Sequence, residues 1–340
     1  MTTMGIVEVR DLAKIFRVHQ KEPGLAGSVK SLVKRHYRDV RAVDGVSFEI
    51  EPGELIAFLG PNGAGKTTTL KLLSGLLRPT SGHITVLGMD PWKRSDTYRR
   101  QFALVMGQKN QLWWDLPAIE TFNLNREIYG ISKREFDATV GEMVDTLGLE
   151  GLLNRQVRKL SLGERMKCEL VAALLHRPKV LYLDEPTIGL DVVMQQAIRQ
   201  FVRDYNERHG ATVILTSHYM QDIEAICRRV IVMDSGRVVF EGPLSKIQDR
   251  FARYRYLRLE FERPVDRSDL LRFGELTEYA GSTATLRAPK ENSASVAAEV
   301  LRTMPVLDVT IEEPPIDEVI RQLFTAGSGP SAAPNAVPAN

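Results

Sequence analysis

The stretch Phe58–Leu73, FLGPNGAGKTTTLKLL, places glycines, one lysine and threonines between an apolar strand and an apolar-striped helix. We expect the strand over Glu54–Leu59 and the helix over Lys66–Leu77. Glycines at such a junction let consecutive backbone N–H groups turn towards an anion, and the helix N-terminus adds partial positive charge. A glycine-rich turn with an incidental lysine is the alternative, but the flanking strand and helix favour a phosphate-binding loop.

The pattern G-x-x-x-x-G-K-[ST] assigns a role to each part of this loop. Lys66 is expected to reach the β- and γ-phosphates of a nucleoside triphosphate, and Thr67 to offer its hydroxyl to Mg²⁺. The residues expected to bind the nucleotide here are Gly60, Pro61, Asn62, Gly63, Ala64, Gly65, Lys66, Thr67 and Thr68.

Two carboxylates follow a second apolar run. In VLYLDEP, Asp184 and Glu185 come directly after the run, at the end of a strand where ligands of parallel α/β sheets bind. We expect Asp184 to hold Mg²⁺ and Glu185 to polarise an attacking water. Two solvent-facing carboxylates are the alternative, which the upstream phosphate loop disfavours. The loop and the carboxylates together predict hydrolysis of the nucleotide.

Composition excludes several classes of protein. Of the 340 residues, 43% are hydrophobic and 26% charged, which is ordinary for a soluble globular chain. The 45 basic and 43 acidic residues give a net charge of +2, so no nucleic-acid partner is expected. Cys168 and Cys227 lack metal-ligand spacing and are expected to be free core thiols. No secretory signal and no membrane-spanning run is present, so we expect a cytoplasmic chain whose membrane role would need a partner.

Periodicity predicts an α/β chain with two domains and a disordered tail. The main domain is expected over residues 1–245, because VLYLDEP and TVILTSH are typical of strands buried on both faces of a parallel sheet. A mostly helical region at about 96–175 belongs to it. A small α+β domain is expected over 246–325, and the Gly/Ala/Pro/Ser-rich segment 326–340 is expected to be disordered.

Residues 5–245 resemble the ATP-binding-cassette (ABC) ATPases, because further motifs follow the phosphate loop in that family's order. LSLGE at Leu160–Glu164 resembles the signature motif, GLD at Gly189–Asp191 the D-loop, and TSH ending at His218 the switch-histidine segment. VMGQKNQLWW aligns Gln108 with the glutamine that contacts the metal. The resemblance implies a P-loop NTPase fold, with a RecA-like core, an ABC β-subdomain and an α-helical subdomain.

The resemblance also implies a head-to-tail dimer in which each copy completes the nucleotide site of the other. Ser161, Gly163 and Glu164 of one copy would close on the γ-phosphate held by the other. Asp191 would link the two sites. The implied catalytic residues are Lys66, Gln108, Glu185 and His218, and the implied metal-binding residues are Thr67, Gln108 and Asp184. ATP and Mg²⁺ are the implied cofactors.

The signature departs from its commonest form at two positions. Leu162 replaces a glycine and Glu164 replaces a glutamine, while Ser161 and Gly163 remain. We expect the site to function. A homodimer and a heterodimer with one weakened site are both compatible with this motif.

The resemblance also implies an aromatic residue that stacks on adenine, and the candidate for it is Phe16, in the KIF that follows the first strand. The basic segment Arg17–Val40 comes directly after it, and Tyr37 within that segment is the alternative. The segment reads as an insertion with a short helix at Val29–His36. A solvated loop is one interpretation of it, and contact with lipid headgroups or a partner is the other.

Trp113 and Trp114 lie near Gln108 on an expected surface loop, in the region where the family receives a coupling helix from its membrane subunit. Exposed aromatics suit an interface hot spot, and a core position for either ring is the alternative. The segment VTIEEPPIDEVIRQLF resembles the C-terminal extension of ABC-2 exporters, with the chain closest to a viologen-type drug exporter branch.

The resemblance therefore implies a peripheral ATPase subunit on the cytoplasmic face of the inner membrane, driving export through a separately encoded permease. The alternative is a soluble ABC ATPase that acts on ribosomes or nucleic acid. The single phosphate loop and the small net charge disfavour that alternative. A simple P-loop kinase or GTPase is disfavoured by the signature segment.

Overall fold

The computed structural model describes residues 5–20, 36–217 and 219–327. The chain divides between Gly242 and Pro243 into two compact units. None of the helices in the described residues combines the length and the apolar character needed to cross a membrane.

The first unit is built on a six-stranded sheet whose strands are short apolar runs. In spatial order the strands are β5 (Phe102–Met106), β6 (Val180–Asp184), β7 (Thr212–Thr216), β3 (Leu55–Leu59), β8 (Arg229–Asp234) and β9 (Arg237–Pro243). The pairs from β5 to β8 are parallel, and the central strands are buried along nearly their whole length, as their Val-, Ile- and Leu-rich sequences predict.

The register of this sheet positions the functional site. Met106 pairs with Asp184, Asp184 with Thr216, and Thr216 with Phe58. The carboxyl ends of four neighbouring strands therefore meet at one edge of the sheet. At the other side of the sheet, β8 and β9 form a hairpin joined by Ser235 and Gly236, which both have positive φ, as a tight two-residue turn requires.

A second, antiparallel sheet has the order β2 (His36–Ile50), β1 (Val7–Gln20), β4 (Ser81–Val86). Pairing between β1 and β2 continues to Gln20 opposite His36, so both ends of the predicted insertion Arg17–Val40 are strand. The loop interpretation was wrong for these ends because RVHQ and HYRDV pair across the hairpin, where the His19 and Tyr37 rings pack edge to face at 5.7 Å. The helix predicted over Val29–His36 lies outside the described residues, except for His36.

Helix α1 (Lys66–Leu73) shares one hydrophobic cluster with both sheets. It ends four residues before the predicted Leu77. Gly75 has a φ of +71°, and a Cβ there would lie 2.2 Å from the Pro91 carbonyl oxygen. The chain therefore leaves the helical conformation at Gly75 to pass the backbone of Pro91, a conformation that favours glycine.

The remaining helices of the first unit include those of the predicted helical region. They are α2 (Asp96–Arg99), α3 (Ala118–Tyr129), α4 (Lys133–Leu147), α5 (Leu162–Leu174), α6 (Val192–His209) and α7 (Met220–Ile226), with 3₁₀ turns at Pro91–Lys93 and Val157–Lys159. The region 96–175 also contains β5, which was not predicted. The five-residue run FALVM is too short for periodicity to separate a strand from a helix.

The second unit is a small α+β fold. Its antiparallel sheet has the order β11 (Glu275–Tyr279), β12 (Thr283–Pro289), β10 (Tyr254–Phe261), β13 (Val306–Glu312); its helices are α8 (Lys246–Phe251), α9 (Arg267–Leu270), α10 (Ser293–Thr303) and α11 (Ile316–Gly327), with a 3₁₀ turn at Lys290–Asn292. Leu257, Leu286 and Val300 are fully buried in its core. These strands and helices confirm the α+β character expected for this part of the chain. The tail predicted from residue 326 lies outside the described residues beyond Gly327.

Candidate functional site

The glycine loop between β3 and α1 is shaped by neighbouring backbone. A Cβ on Gly60 would lie 2.2 Å from the Met233 carbonyl oxygen, and a Cβ on Gly65 would lie 2.4 Å from the Ala42 carbonyl oxygen. Gly65 also has a φ of +102°, in the left-handed region. Only glycine fits these positions, and the loop is thereby held between the end of β3 and the N-terminus of α1, where backbone N–H groups favour an anion.

Lys66 lies across this loop. Its Nζ donates to the Gly60 carbonyl oxygen at 2.6 Å and to the Pro61 carbonyl oxygen at 3.1 Å, and the residue is only 6% exposed. Burial lowers the pKa of Lys66 from its ordinary value, while the charges of Glu185 and Asp184 raise it. The ammonium is therefore held inside the loop within the field of both carboxylates, where it can meet a phosphate.

Asp184 binds two hydroxyl groups at the end of β6. Thr67 Oγ1 donates to Asp184 Oδ1 at 2.8 Å, and Thr216 Oγ1 donates to the same oxygen at 2.7 Å. The phosphate loop and the second carboxylate motif, which are 117 residues apart in sequence, are thus directly joined. The hydroxyl of Thr67 and the carboxylate of Asp184 are hard oxygen donors of the kind that Mg²⁺ prefers.

Glu185 follows in a left-handed conformation, with a φ of +53°. Its backbone N–H donates to Thr216, at 3.1 Å to the carbonyl oxygen and 3.0 Å to Oγ1, and its Oε2 accepts from Gln108 Nε2 at 2.9 Å. A Cβ on Gly107 would lie 2.1 Å from the Glu185 carbonyl oxygen. A non-glycine residue held at positive φ by its surroundings is typical of functional sites, where local strain persists because the neighbours fix it.

Thr67, Gln108, Asp184 and Glu185 help to line a cavity of about 480 Å³, within the usual range for small-molecule sites. Its lining combines the phosphate loop, the end of β5 and the two carboxylates: Asn62, Thr67, Lys71, Met106, Gln108, Lys109, Asp184, Glu185 and Ile188. Among the described residues, no group of three or more His, Cys, Asp or Glu side chains could hold a metal ion by itself. A single carboxylate beside a hydroxyl and an amide instead fits Mg²⁺, which is bound by one or two carboxylates together with substrate phosphates and waters.

The LSLGE segment forms the start of α5. Ser161 is its N-cap: Ser161 Oγ accepts from the Glu164 N–H at 3.2 Å, and the Ser161 N–H donates to Glu164 Oε2 at 2.7 Å. The bond from the Ser161 backbone holds the pKa of Glu164 below its ordinary value. A Cβ on Gly163 would lie 2.6 Å from Met194 Cγ of α6, so a larger residue there would force the Met194 side chain to move.

The D-loop segment packs directly against this signature segment. A Cβ on Gly189 would lie 3.1 Å from Leu162 Cδ2, and Asp191 caps α6 by accepting from the Met194 N–H at 2.8 Å. His218, predicted as the switch histidine, lies outside the described residues.

The hairpin of β1 and β2 favours Phe16 over Tyr37 as the adenine-stacking residue. Ala42 of β2 contacts the phosphate loop through Gly65, and Phe16 is paired with Val40, two residues from Ala42. Tyr37 is five residues from Ala42, which at about 3.3 Å per residue places it roughly 16 Å away along the strand. Phe16 therefore lies nearer to the nucleotide loop than Tyr37, which lies towards the far end of the hairpin.

Trp113 and Trp114 are both at the surface, 55% and 49% exposed, so neither ring is in the core of this chain. The expectation of exposed aromatics next to Gln108 is confirmed. The Trp114 ring lies 5.8 Å from the guanidinium carbon of Arg165, a residue of α5. The loop that carries both tryptophans is further tied down by the Arg158 N–H, which donates to the Trp114 carbonyl oxygen at 3.0 Å.

The sequence reasoning missed Asp222, which is buried beside the site. Its carboxylate accepts from Arg199 Nε at 2.6 Å, from Ser217 Oγ at 2.7 Å, and from Thr187 Oγ1. The segment after Glu185, helix α6 and the segment before His218 are thereby joined through one side chain. The sequence signal that could have identified Asp222 is its position as an acidic residue in the first turn of α7, four residues after His218.

The parallel sheet, the glycine loop and the carboxylates at the strand ends define the class of the protein as a P-loop nucleoside triphosphatase. Comparison with known proteins identifies its family. Residues 43–188 match the model described as "ABC transporter", and residues 253–312 match "EvrA-like ABC transporter, C-terminal domain". The chain belongs to the family of ABC transporter ATP-binding proteins and is an ATPase subunit of that family.

Three relatives illustrate the range of the family. The ABC transporter ATP-binding protein NatA of Bacillus subtilis is 34% identical over 210 residues, covering 62% of this chain and 85% of NatA. The Nod factor export ATP-binding protein I of Burkholderia pseudomallei is 34% identical over 252 residues, 74% of this chain and 82% of the relative. The methionine import ATP-binding protein MetN of Halalkalibacterium halodurans is 36% identical over 222 residues, 64% of this chain and 66% of MetN.

Solved structures agree with this fold. An ATP-binding subunit of an ABC transporter superposes with a TM-score of 0.59 at 28% identity, over 72% of this chain and 92% of that one. An ATP-binding cassette solved as a dimer with ADP and Pi has a TM-score of 0.58 at 24% identity, over 70% of this chain and 98% of that one, a likeness of fold alone. The predicted class, an α/β P-loop fold with a small additional C-terminal domain, is confirmed.

Proposed function

We propose that this chain is the ATPase subunit of a membrane exporter and acts on a separately encoded permease. The observation that carries export over import is the extent of similarity. The alignment to the Nod factor export protein covers 252 residues of this chain, whereas the alignment to the methionine importer covers 222. The exposed tryptophans beside Gln108 supply a surface for the permease, and the chain would bind the cytoplasmic face of the membrane through it.

The proposed chemistry is carried by the residues around the 480 Å³ cavity. Lys66 would leave the loop carbonyls for the β- and γ-phosphates, since a phosphate is the stronger partner of a buried ammonium. Glu185 would accept a proton from the attacking water, and Gln108 holds the Glu185 carboxylate in place. Thr67, Asp184 and Gln108 would hold Mg²⁺, which supplies charge neutralisation to the phosphates when bound.

The remaining groups of the nucleotide site would come from a second copy of the chain. Ser161 caps a helix N-terminus, which favours an anion, and Gly163 lies beside it. In a head-to-tail dimer, this end of α5 would approach the γ-phosphate held by the other copy, with Asp191 between the two sites and His218 at the γ-phosphate. ATP would then hold the dimer together, and its hydrolysis would release it.

Affinity purification of the full chain from detergent-solubilised membranes tests the proposed partner. Co-purification of a polytopic membrane protein is the expected result, and recovery of ribosomes or nucleic acid in its place would overturn the proposal. Direction is tested with the purified complex in inverted vesicles supplied with external ATP and methyl viologen together with other organic cations. ATP-dependent accumulation inside these vesicles indicates export. Accumulation only in right-side-out vesicles loaded with ATP indicates import.

A further inference from the structure

Helix α5 buries a carboxylate that the site chemistry does not use. Glu169 is 1% exposed, and its Oε1 lies 3.4 Å from the Gln111 backbone nitrogen and 3.7 Å from Arg165 Nε. Among the described residues, neither Glu169 Oε2 nor Arg165 Nε has a hydrogen-bond partner, although both atoms are buried. A buried carboxylate that is paired so incompletely costs stability, because the interior compensates poorly for its lost hydration.

The position of this pair links three parts of the proposed machinery. Gln111 is three residues after Gln108, and its side chain is fixed by a 3.0 Å bond to the Leu104 carbonyl oxygen of β5. Arg165 lies four residues after the N-cap of α5 and against the Trp114 ring. The loop that carries Gln108, the signature helix and the aromatic surface therefore meet at Glu169 and Arg165.

We propose that Glu169 is a positioning residue for Gln108: by holding the Gln111 N–H and Arg165 together, it makes the loop that carries Gln108 move with α5. The inference rests on the role given above to Gln108. An imperfectly paired buried carboxylate is a costly way to fill this space, which favours a contact that is made and released. Movement of Trp114 would reach Gln108 through Arg165, Glu169 and Gln111 in turn.

The charge of Glu169 makes this linkage sensitive to pH. Burial raises the pKa of Glu169 to about 7, against the opposing effects of the Gln111 N–H and Arg165. Its own helix also presents Cys168, whose thiol is affected by the Glu169 charge, and Lys167, which donates to the Leu147 carbonyl oxygen at the end of α4.

Helix α3, which packs on α5, contributes uncharged groups: Thr121 Oγ1 accepts from the Trp113 N–H at 3.4 Å, and Asn125 Nδ2 donates to the Ala172 carbonyl oxygen at 3.0 Å. Of the groups in the described chain that shift the pKa of Glu169, Arg165 is the one that carries a charge. The ionised carboxylate attracts Arg165, and the neutral acid does not. The contact between Glu169 and Arg165 is therefore expected to hold above a pH of about 7 and to weaken below it.

The test compares Glu169→Gln, Glu169→Asp and the control Asp145→Asn, which removes an exposed carboxylate from α4. Basal ATP hydrolysis of the full chain is measured from pH 6 to 8.5, with kcat and KM determined separately. Wild type is expected to lose kcat as the pH falls through about 7. In Glu169→Gln, the fall of kcat near pH 7 is expected to disappear. Its kcat at pH 8 is expected to be about tenfold lower than that of wild type, with little change in KM, because misplacing a catalytic group affects the reacting geometry. Glu169→Asp is expected to restore part of the pH dependence of kcat.

A second measurement separates positioning from folding. Because its pKa is raised in the folded chain, Glu169 keeps a proton that the unfolded chain releases, so wild type loses stability as the pH rises from about 4.5 to about 7. Glu169→Gln is expected to match wild type in thermal unfolding at pH 5 and to exceed it at pH 8. An unchanged pH profile with kcat within twofold of wild type overturns the inference, as does a variant less stable than wild type at pH 8.

These readouts need no permease, so failure of the exporter proposal leaves them interpretable. Gln108→Ala is measured in parallel with the same assay. If its kcat equals that of wild type, the role of Gln108 is wrong and the role of Glu169 is wrong with it. A fall in the kcat of Gln108→Ala, combined with the expected behaviour of Glu169→Gln, supports both.

Discussion

Replacement of Asp222 by alanine tests whether the buried polar cluster stabilises the first unit. The substitution removes one carboxylate and leaves three donors, on Thr187, Arg199 and Ser217, without their acceptor. Asp222 and Arg199 side chains are only 2% and 12% exposed, so the Arg199 charge would stay largely buried and uncompensated. Removing one partner of such a pair costs about 3–5 kcal/mol.

Differential scanning calorimetry of the full chain measures this cost. For a unit of this size, each kcal/mol lowers the Tm by about 2–4 °C, so we expect the transition of the first unit to fall by roughly 6–20 °C. The second unit should be unaffected. Asp137→Ala is the control, because Asp137 pairs with Lys133 at 2.8 Å on the exposed side of α4, and its loss should cost no more than about 0.5 kcal/mol.

A double variant, Asp222→Leu with Arg199→Met, identifies the cause. It removes both charges together, so most of the loss should be recovered if the cost comes from an unpaired buried arginine. A fall in Tm of less than 2 °C in Asp222→Ala would refute the reasoning about the cluster. A double variant as unstable as Asp222→Ala would refute the assignment of the cost to Arg199.

Three further predictions concern the nucleotide site and its surface. Glu185→Gln should bind Mg-ATP with wild-type affinity, abolish phosphate release and trap a dimer in size-exclusion chromatography; a monomer at saturating Mg-ATP would contradict the proposed geometry. Trp113→Ala combined with Trp114→Ala should leave basal hydrolysis within about twofold of wild type but lower permease recovery in a pull-down, and full recovery would exclude this surface. Phe16→Ala should weaken ATP binding about tenfold by equilibrium titration, with Tyr37→Ala as the matched control; the reverse order would exclude Phe16.

Much of the site could be predicted from sequence because it is built from short motifs at strand ends. Lys66 and Thr67 follow one strand, and Asp184 and Glu185 another, and parallel strands of one sheet bring such ends together. The observed bonds from Thr67 to Asp184 and from Gln108 to Glu185 show that the structure gathers these residues as the motifs imply. Their catalytic and metal-binding roles stay predictions.

The features that escaped prediction depend on contacts between distant segments. Asp222 binds residues of three separate segments, and nothing in the local sequence of α7 identifies those partners. Glu169 follows the ordinary pattern of an amphipathic helix, and its burial becomes visible only when α5 is packed against β5. The early end of α1 at Gly75 likewise depends on the backbone of Pro91 passing nearby. Sequence periodicity carries no information about such tertiary neighbours.

The mutual capping of Ser161 and Glu164 has a consequence for how two copies would associate. Glu164 is ionised at neutral pH and already accepts from the Ser161 N–H. In the proposed dimer, the terminal phosphate on the opposing copy competes with this carboxylate for one donor, and the two anions repel. The approach of the two copies would therefore be opposed by this repulsion until the Glu164 side chain rotates away from the phosphate. Added salt screens that repulsion, so this step of dimerisation should be faster at moderate ionic strength than in dilute buffer, the reverse of an assembly driven by opposite charges.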